Sequence, residues 1–143
     1  MKLSKDLVAA SATPMVLLVL STGPDYGYSI LRRIAEASDG QLEWSEGLLY
    51  PLLHRLERAG HITAQWGVAD SGRRRKYYAL SPDGAAELAS FEAQWRLAAR
   101  TISALRKAAS AAATPAHATV PSATPGAPSS TAPTPGPRPK ERA

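Results

Sequence analysis

The densest cluster of charge in this sequence is a run of four basic residues, Arg73 to Lys76. A polar segment that contains a glycine, 69–72, precedes the run, which places it near the tip of a loop. Guanidinium and ammonium groups at a loop tip suit phosphate oxygens or a narrow minor groove. We therefore predict four DNA-binding residues in this segment, Gly72, Arg73, Arg74 and Lys76, with phosphate or minor-groove contacts from the three basic ones. A loop whose charges are only solvated is the alternative, and one basic residue of the run could instead pack on the body.

A second group of candidate residues lies on one face of a predicted helix that follows Ser45. Ser45 is a favourable N-cap, and Gly60 is the residue expected just past the C-terminus. Four leucines share the packing face of this helix: Leu49, Leu52, Leu53 and Leu56. The opposite face is polar, aromatic and basic, and it comprises Gly47, Tyr50, Pro51, His54 and Arg58, with Arg55 at its edge.

This second face is suited to reading DNA, because an α-helix fits the major groove and its N-terminal half reaches base edges. Pro51 supports a functional interpretation, since proline in a helix interior costs about 3 kcal/mol. Gly47 allows the backbone to approach phosphates closely. Two alternatives stay open, with Tyr50 as a half-buried surface aromatic and His54 as an ordinary exposed histidine. Arg58 is expected to be only solvated.

Catalysis and metal binding find no support in the residue types. The chain has no cysteine, and its three histidines, His54, His61 and His117, have no metal-ligand spacing. The sequence also shows no nucleophile–base set, no glycine-rich phosphate loop after a strand and no carboxylate pair. We expect no catalytic residue, no cofactor and no metal, and we predict that the protein is not an enzyme.

Three helices and a hairpin must position these residues. Thr13-Pro14 predicts a helix start, and Asp25 is a plausible N-cap for a second helix that ends near Ser38. A brief strand is predicted at 41–44. Apolar and polar residues then alternate over 62–68, and 75–80 is predicted to be the partner strand. This order predicts a winged helix-turn-helix fold, mainly α with a small β-hairpin, followed by a C-terminal dimerisation helix.

The last helix begins after Ser81-Pro82 and carries an apolar seam. Seven residues alternate at intervals of four and three: Leu88, Phe91, Trp95, Ala98, Ile102, Leu105 and Ala109. An a/d seam of this kind is typical of a coiled coil, and too little protein remains in one chain to cover it. We predict a homodimer with five interface residues: Leu88, Phe91, Trp95, Ile102 and Leu105.

Composition divides the chain into a DNA-binding domain at 1–80, a dimerisation helix at 81–110 and a disordered tail at 111–143. Eight of the twelve prolines fall in the tail, among Ala, Ser, Thr and Gly. The start of the chain lacks the layout of a signal peptide, and the longest apolar run is too short to span a membrane. We expect a cytoplasmic protein with no membrane partner. Its net charge of +5 is modest, so the placement of the charge matters more than its size.

Three motifs, in this order, closely resemble the PadR family of repressors: Gly27-Tyr28-Ser29-Ile30, then LLYPLLHRLERAG at 48–60, then GRRRKYYALS at 72–81. The resemblance covers about three quarters of the chain and implies that the Tyr50-Pro51 helix enters the major groove while the hairpin forms the wing. It also implies that the C-terminal helix is exchanged with its mate in the dimer, and that Lys5 contacts the DNA backbone. For Tyr28 we expect both core packing and a phosphate contact through its hydroxyl. The Pro-rich tail is not part of the family pattern.

Trp95 is a candidate ligand-binding residue. In some multidrug-binding members of the family, a tryptophan at the matching place stacks on flat aromatic ligands between subunits. The resemblance therefore implies a planar aromatic effector at Trp95, with Phe91 and Ala98 flanking it. A tryptophan that only fills the interface is the alternative.

Together these features predict a sequence-specific DNA-binding transcriptional regulator, acting as a repressor that a small aromatic ligand relieves. Duplex DNA and a second copy of the chain are its expected partners. The alternative is a winged-helix module that binds protein without reading DNA, since fold alone does not decide function. Steep salt dependence of DNA binding would separate the two.

Overall fold

The computed structural model describes residues 2–113, and the predicted disorder of the tail lies almost entirely outside this range. Its four helices are α1 (Lys5–Leu20), α2 (Gly27–Ala37), α3 (Glu46–Arg58) and α4 (Pro82–Ala112). Its strands are β1 (Asp25–Tyr26), β2 (Ile62–Val68) and β3 (Arg74–Leu80), which form one antiparallel sheet in the order β1-β3-β2. The predicted fold class, mainly helical with a small β-hairpin, is confirmed.

Helix α1 is continuous, so the helix start predicted at Thr13-Pro14 is wrong. Ser4 is the N-cap, and its Oγ accepts a hydrogen bond from the backbone N–H of Leu7 at 3.2 Å. Pro14 lies inside the helix, where it removes only the bond to the carbonyl of the residue four positions earlier. Burial of one side of α1, including Val16 and Leu17 at 0% exposure, offsets that loss.

Asp25 is not the N-cap of α2, because Tyr26 occupies that position and makes no side-chain capping bond. Asp25 lies in β1 and is buried. Its Oδ2 accepts hydrogen bonds from Ser29 Oγ at 2.9 Å and from Arg33 Nη1 at 3.2 Å. The charged hydrogen bonds from Arg33 and Ser29 compensate the desolvation of this carboxylate. Asp25 thus ties the short strand to α2.

The strand predicted at 41–44 is also wrong, since these residues have no regular secondary structure. The backbone N–H of Leu42 donates to Ser38 Oγ at 2.8 Å, and Leu42 and Trp44 pack against the core as partly buried side chains. The apolar residues of this segment therefore cover the core from a loop instead of pairing with a strand.

The core lies where α1, α2 and α3 meet the base of the sheet. Its fully buried members include Leu17, Ile30 and Leu49, together with Ile62 at the start of β2. The four leucines predicted for the packing face of α3 are all buried. Because they fill the core, the opposite face of α3 is left exposed.

Helix α4 begins as predicted. Ser81 Oγ accepts from the backbone N–H of Gly84 at 2.9 Å and donates to the carbonyl of Gly60 at 2.6 Å. Gly84 is buried so closely against the carbonyl of His61 that an added Cβ would collide with it. Contacts on both sides of Ser81 therefore fix the first turn of α4 to the end of α3 and the start of β2.

Only the first part of the predicted apolar seam is covered. The chain divides into two units, Met1–Ala99 and Arg100–Ala143. Within the first, Leu88 is 7% exposed and Trp95 is 54% exposed; within the second, Ile102 and Leu105 are 57% and 65% exposed. The seam is a real sequence pattern, and over the described residues three of its large side chains, Trp95, Ile102 and Leu105, are more than half exposed. None of the helices described over residues 2–113 combines the length and the hydrophobicity that a transmembrane span requires.

Candidate nucleic-acid interface

The exposed face of α3 is the centre of the candidate interface. Ser45 is the N-cap, as predicted, and its Oγ accepts from the backbone N–H of Leu48 at 3.2 Å. The other predicted site residues of this helix are all exposed: Gly47, Tyr50, Pro51, His54 and Arg55. Because the leucine face of α3 packs on the core, the opposite, polar face of the helix is exposed to solvent.

Pro51 gives this face an unusual hydrogen-bonding group. It lies inside α3 and has no N–H to donate, so the usual α-helical hydrogen bond to the carbonyl of Gly47, four residues earlier, is missing. That carbonyl belongs to the first turn of the helix, and Gly47 is exposed. The arrangement leaves an acceptor on the part of α3 that reaches base edges when a helix lies in the major groove.

Tyr50 is held against the start of α2. Its hydroxyl lies so close to Gly27 that a Cβ added there would also lie 2.8 Å from Tyr50 Cζ and 3.1 Å from Cε1. Tyr50 nevertheless stays 43% exposed. The contact with Gly27 therefore positions the Tyr50 ring, and the exposed part of the ring is available to a ligand.

Tyr28 lies beside this contact and is 63% exposed, so the core packing predicted for it is wrong. The buried face of α2 instead consists of Gly27, Ser29, Ile30 and Ile34. The short strand β1 rotates the start of α2 so that Ser29 meets Asp25 and Ile30 enters the core. This places the Tyr28 hydroxyl in solvent, and its phosphate contact stays a prediction.

A groove between the wing and the body, which we call the wing groove, collects five of the twelve predicted DNA-binding residues: Tyr28, Tyr50, Arg73, Arg74 and Lys76. It encloses about 760 Å³. Its lining contains Gly27, the basic run Arg73 to Lys76, and five aromatic residues: Tyr26, Tyr28, Tyr50, Trp66 and Tyr78. Burial raises the pKa of the Tyr78 phenol, and the nearby Tyr50 and Glu57 raise it further, so this phenol stays a neutral hydrogen-bonding group.

The four basic residues of the wing have different surroundings. Arg73 is exposed in the turn after Gly72, which has a φ of +86°. Arg74 lies over the Trp66 ring, with its Cζ 5.1 Å from the ring centroid. Arg75 lies over the Tyr26 ring at 4.0 Å, so it is the residue of the run that packs on the body. Lys76 Nζ is 4.0 Å from Glu57 Oε1 of α3.

A second groove, which we call the α1 groove, flanks the other side of α3. Lys5 and Arg55 line it, together with apolar residues that include Leu48 and Leu52. The groove therefore brings Lys5 of α1 and Arg55 of α3 into one lining. The sequence pattern alone gave no reason to pair Lys5 with Arg55, because they are fifty positions apart.

Trp95 and Phe91 line a separate apolar cavity of about 340 Å³ against α1. Met15, Leu18 and Pro14 form its α1 side, and Glu92 and Arg96, whose charges are 3.9 Å apart, also line it. Ala98 is not part of this lining. Both Trp95 and Phe91 thus meet a cavity, but α1 contributes half of it, which the heptad pattern had not indicated.

Three aromatic residues of the wing groove, Tyr26, Trp66 and Tyr78, were not predicted from the sequence as DNA-binding residues. Tyr26 pairs with Tyr77 across β1 and β3, and their rings are in edge contact at 5.7 Å. A two-residue strand has too little pattern to be recognised in a sequence. Trp66 belongs to an apolar alternation that suggested a packed face, although only the base of the wing is buried.

A helix exposed between two grooves with basic residues, and a basic hairpin beside it, define a winged helix-turn-helix DNA-binding protein. The profile of the "Transcriptional regulator PadR-like family" matches residues 16–90, just over half of the chain. The chain belongs to this family of DNA-binding transcriptional regulators, as its sequence motifs predicted.

Solved structures agree with this assignment. A PadR-like transcription factor from Bacteroides fragilis is 30% identical, with a TM-score of 0.60 over 71% of this chain and 96% of the other. A transcriptional regulator from Clostridium thermocellum is 28% identical, with a TM-score of 0.64 over 69% of this chain and 96% of the other. An uncharacterised protein of Lysinibacillus sphaericus is 28% identical over 90 residues, which are 63% of this chain and 83% of that protein.

Proposed function

We propose that the protein is a homodimeric repressor that reads its operator with α3 and grips the DNA backbone with the wing and Lys5. The observation that carries this proposal is the arrangement of grooves on both sides of α3. The wing groove supplies four cations, and the α1 groove supplies Lys5 and Arg55. Cations on both sides of a helix suit the two phosphate backbones that border a major groove.

The roles within this interface follow from chemistry. Base edges are read by the exposed groups at the start of α3, namely Ser45, the Gly47 carbonyl, Tyr50 and His54. Arg73, Arg74 and Lys5 contact phosphates, which orients the protein but carries no sequence information. Tyr28, with its exposed hydroxyl, donates to a phosphate beside the wing. In this proposal the Lys76 ammonium group contacts both the Glu57 carboxylate and a DNA phosphate.

The dimer is formed by the C-terminal helix, so residues 1–80 form the DNA-binding domain and 81–110 the dimerisation helix. Support comes from the exposed seam, in which Trp95, Ile102 and Leu105 are each more than half exposed. Large apolar side chains at heptad spacing favour association with a second copy. Two copies give two recognition helices, which suits an operator with two half-sites.

A flat aromatic effector binds beside Trp95 and relieves repression. The cavity formed by Trp95, Phe91 and α1 supports this proposal, since aromatic walls favour planar ligands and the faces of aromatic rings attract cations. Helix α1 carries Lys5 at its other end. A ligand that changes how α1 and α4 pack can therefore change DNA affinity, by no more than its own difference in affinity between the two arrangements.

The test is enrichment of genomic fragments by the purified protein, followed by measurement of affinity for the enriched fragment and for random DNA across a salt series. A regulator gives a preferred fragment and an affinity that falls steeply with salt. A reporter placed behind that fragment should be less active when the protein is present. Salt-independent, weak binding to every fragment would reject DNA reading, and increased reporter activity would reject repression.

A further inference from the structure

Trp66 is an exposed aromatic side chain that the fold does not need for its core. It is 59% exposed, and it belongs neither to the buried core nor to the partly buried side chains that pack on it. Ala64, two residues earlier on the same face of β2, does pack on the core. The apolar pattern of the strand therefore continues past the point where the body can cover it.

The register of the hairpin shows what accompanies Trp66. Trp66 pairs with Lys76, and Val68 pairs with Arg74. Because side chains alternate across a strand, these four residues lie on one face of the hairpin. Ile62 and Tyr78 lie on the same face, at its base, and are buried. The outer half of this face is open, and Trp66 lines the wing groove with Tyr28 and Tyr50.

Arg74 adds a second observation. Its guanidinium lies over the Trp66 ring at 5.1 Å, which orders a flexible cation beside an exposed aromatic surface. The pair offers an apolar ring and a planar cation side by side. The sugar–phosphate backbone has the complementary chemistry, with an apolar deoxyribose next to an anionic phosphate.

We propose that Trp66 is a DNA-contacting residue that packs on a deoxyribose of the backbone beside the wing, while Arg74 binds the adjacent phosphate. This inference rests on the proposed DNA-binding function and adds an apolar contact to it. The contact removes ring surface from water and releases no counterion. Loss of Trp66 therefore weakens binding to every sequence without changing the salt dependence, whereas loss of a basic residue changes both.

Affinity measurements with a labelled random-sequence duplex of about 30 base pairs, long enough for both half-sites of a dimer, test this contact. Trp66→Ala removes one ring contact from each half-site, so it should bind about tenfold more weakly through the apolar surface returned to water, and its salt slope should stay that of the wild type. Trp66→Phe, which keeps a ring, should retain most of the affinity. Gln65→Ala, exposed on the opposite face of the same strand, is the matched control and should bind as the wild type does.

Fluorescence provides an independent readout. With Trp44 and Trp95 replaced by phenylalanine, Trp66 is the only tryptophan and can be excited selectively over the tyrosines. Its quenching by acrylamide should decrease when the duplex binds and recover when high salt releases it. Unchanged affinity of Trp66→Ala, or unchanged quenching in the bound complex, would overturn the contact. If the wild-type protein does not bind the duplex at any salt concentration, the proposed function itself fails along with this inference.

Discussion

The ring of Tyr50 in α3 lies directly against Gly27, the first residue of α2, with no room for a side chain between them. This contact sets where Tyr50 stands on the exposed face of α3. Alanine at position 27 would place its Cβ 2.8 Å from Tyr50 Cζ, so the ring must move. Glycine is otherwise the poorer helix former, by about 1 kcal/mol relative to alanine.

We expect Gly27→Ala to weaken operator binding about tenfold by displacing Tyr50, with only a small change in thermal stability. Affinity and thermal unfolding should be measured on the same samples. Gly47→Ala is a control for stability, because its added Cβ meets only Ser45 Oγ at 3.6 Å. In the Tyr50→Ala background, Gly27→Ala should have no further effect on affinity. A full additional loss there would contradict the steric coupling.

Pro51→Ala should stabilise the protein by about 1–3 kcal/mol, because it restores an N–H donor to the helix interior. The same donor would engage the Gly47 carbonyl, so discrimination between operator and random DNA should fall. Chemical denaturation measures the first effect, and competition binding measures the second.

Pro14→Ala is the matched control, since Pro14 is also inside a helix but lines the cavity beside Trp95 and neither of the grooves beside α3. It should raise stability and leave discrimination unchanged. If Pro51→Ala retained full discrimination, Pro51 would have no part in reading the operator.

Substitution of Arg73 should affect DNA binding, whereas substitution of Arg75, two residues later, should affect stability. Arg73→Ala should reduce the salt slope by about two phosphates per bound dimer, one from each subunit, and leave the unfolding temperature unchanged, because the side chain is exposed in the turn. Arg75→Ala should leave the slope nearly unchanged and lower stability by about 1 kcal/mol, because its guanidinium packs on Tyr26. A salt-slope change confined to Arg75→Ala would reverse this division of roles.

Aspartate at Ile102 or Leu105 should dissociate the dimer, since a charge buried in an apolar seam costs several kcal/mol. Light scattering at micromolar concentration measures the effect. Ser103→Asp, exposed and off the seam, serves as the control and should leave the mass unchanged. A monomeric wild-type protein would reject the dimer and, with it, an operator of two half-sites.

Planar cationic dyes should quench the fluorescence of Trp95 and weaken DNA binding. Trp95→Ala should abolish the quenching, and Met15→Ala should weaken it, because Met15 forms the α1 wall of the same cavity. Trp44 and Trp66 also emit, so the informative quantity is the quenching that each variant loses. Equal dye binding by Trp95→Ala would leave Trp95 as an interface residue without a ligand.

Local patterns of the sequence were sufficient for much of this structure. The two faces of α3, its Ser45 cap, the hairpin and the start of α4 at Ser81-Pro82 were all predicted, and the structure confirms them. Each depends on periodicity, capping or turn chemistry within a few residues of the chain. The three family motifs are likewise short contiguous segments, so the sequence alone was enough to recognise them.

Only the tertiary structure decided which distant groups meet. Pro14 stays within α1 because core burial outweighs one lost hydrogen bond, and Asp25 leaves the helix cap because Ser29 and Arg33 surround it in the fold. Tyr28 is exposed, and Trp66 reaches the wing groove, because a short strand and the limited size of the body determine how much of each pattern is covered. Periodicity specifies which face of an element is apolar. Whether that face is buried depends on what lies opposite, which contacts between residues far apart in the chain determine.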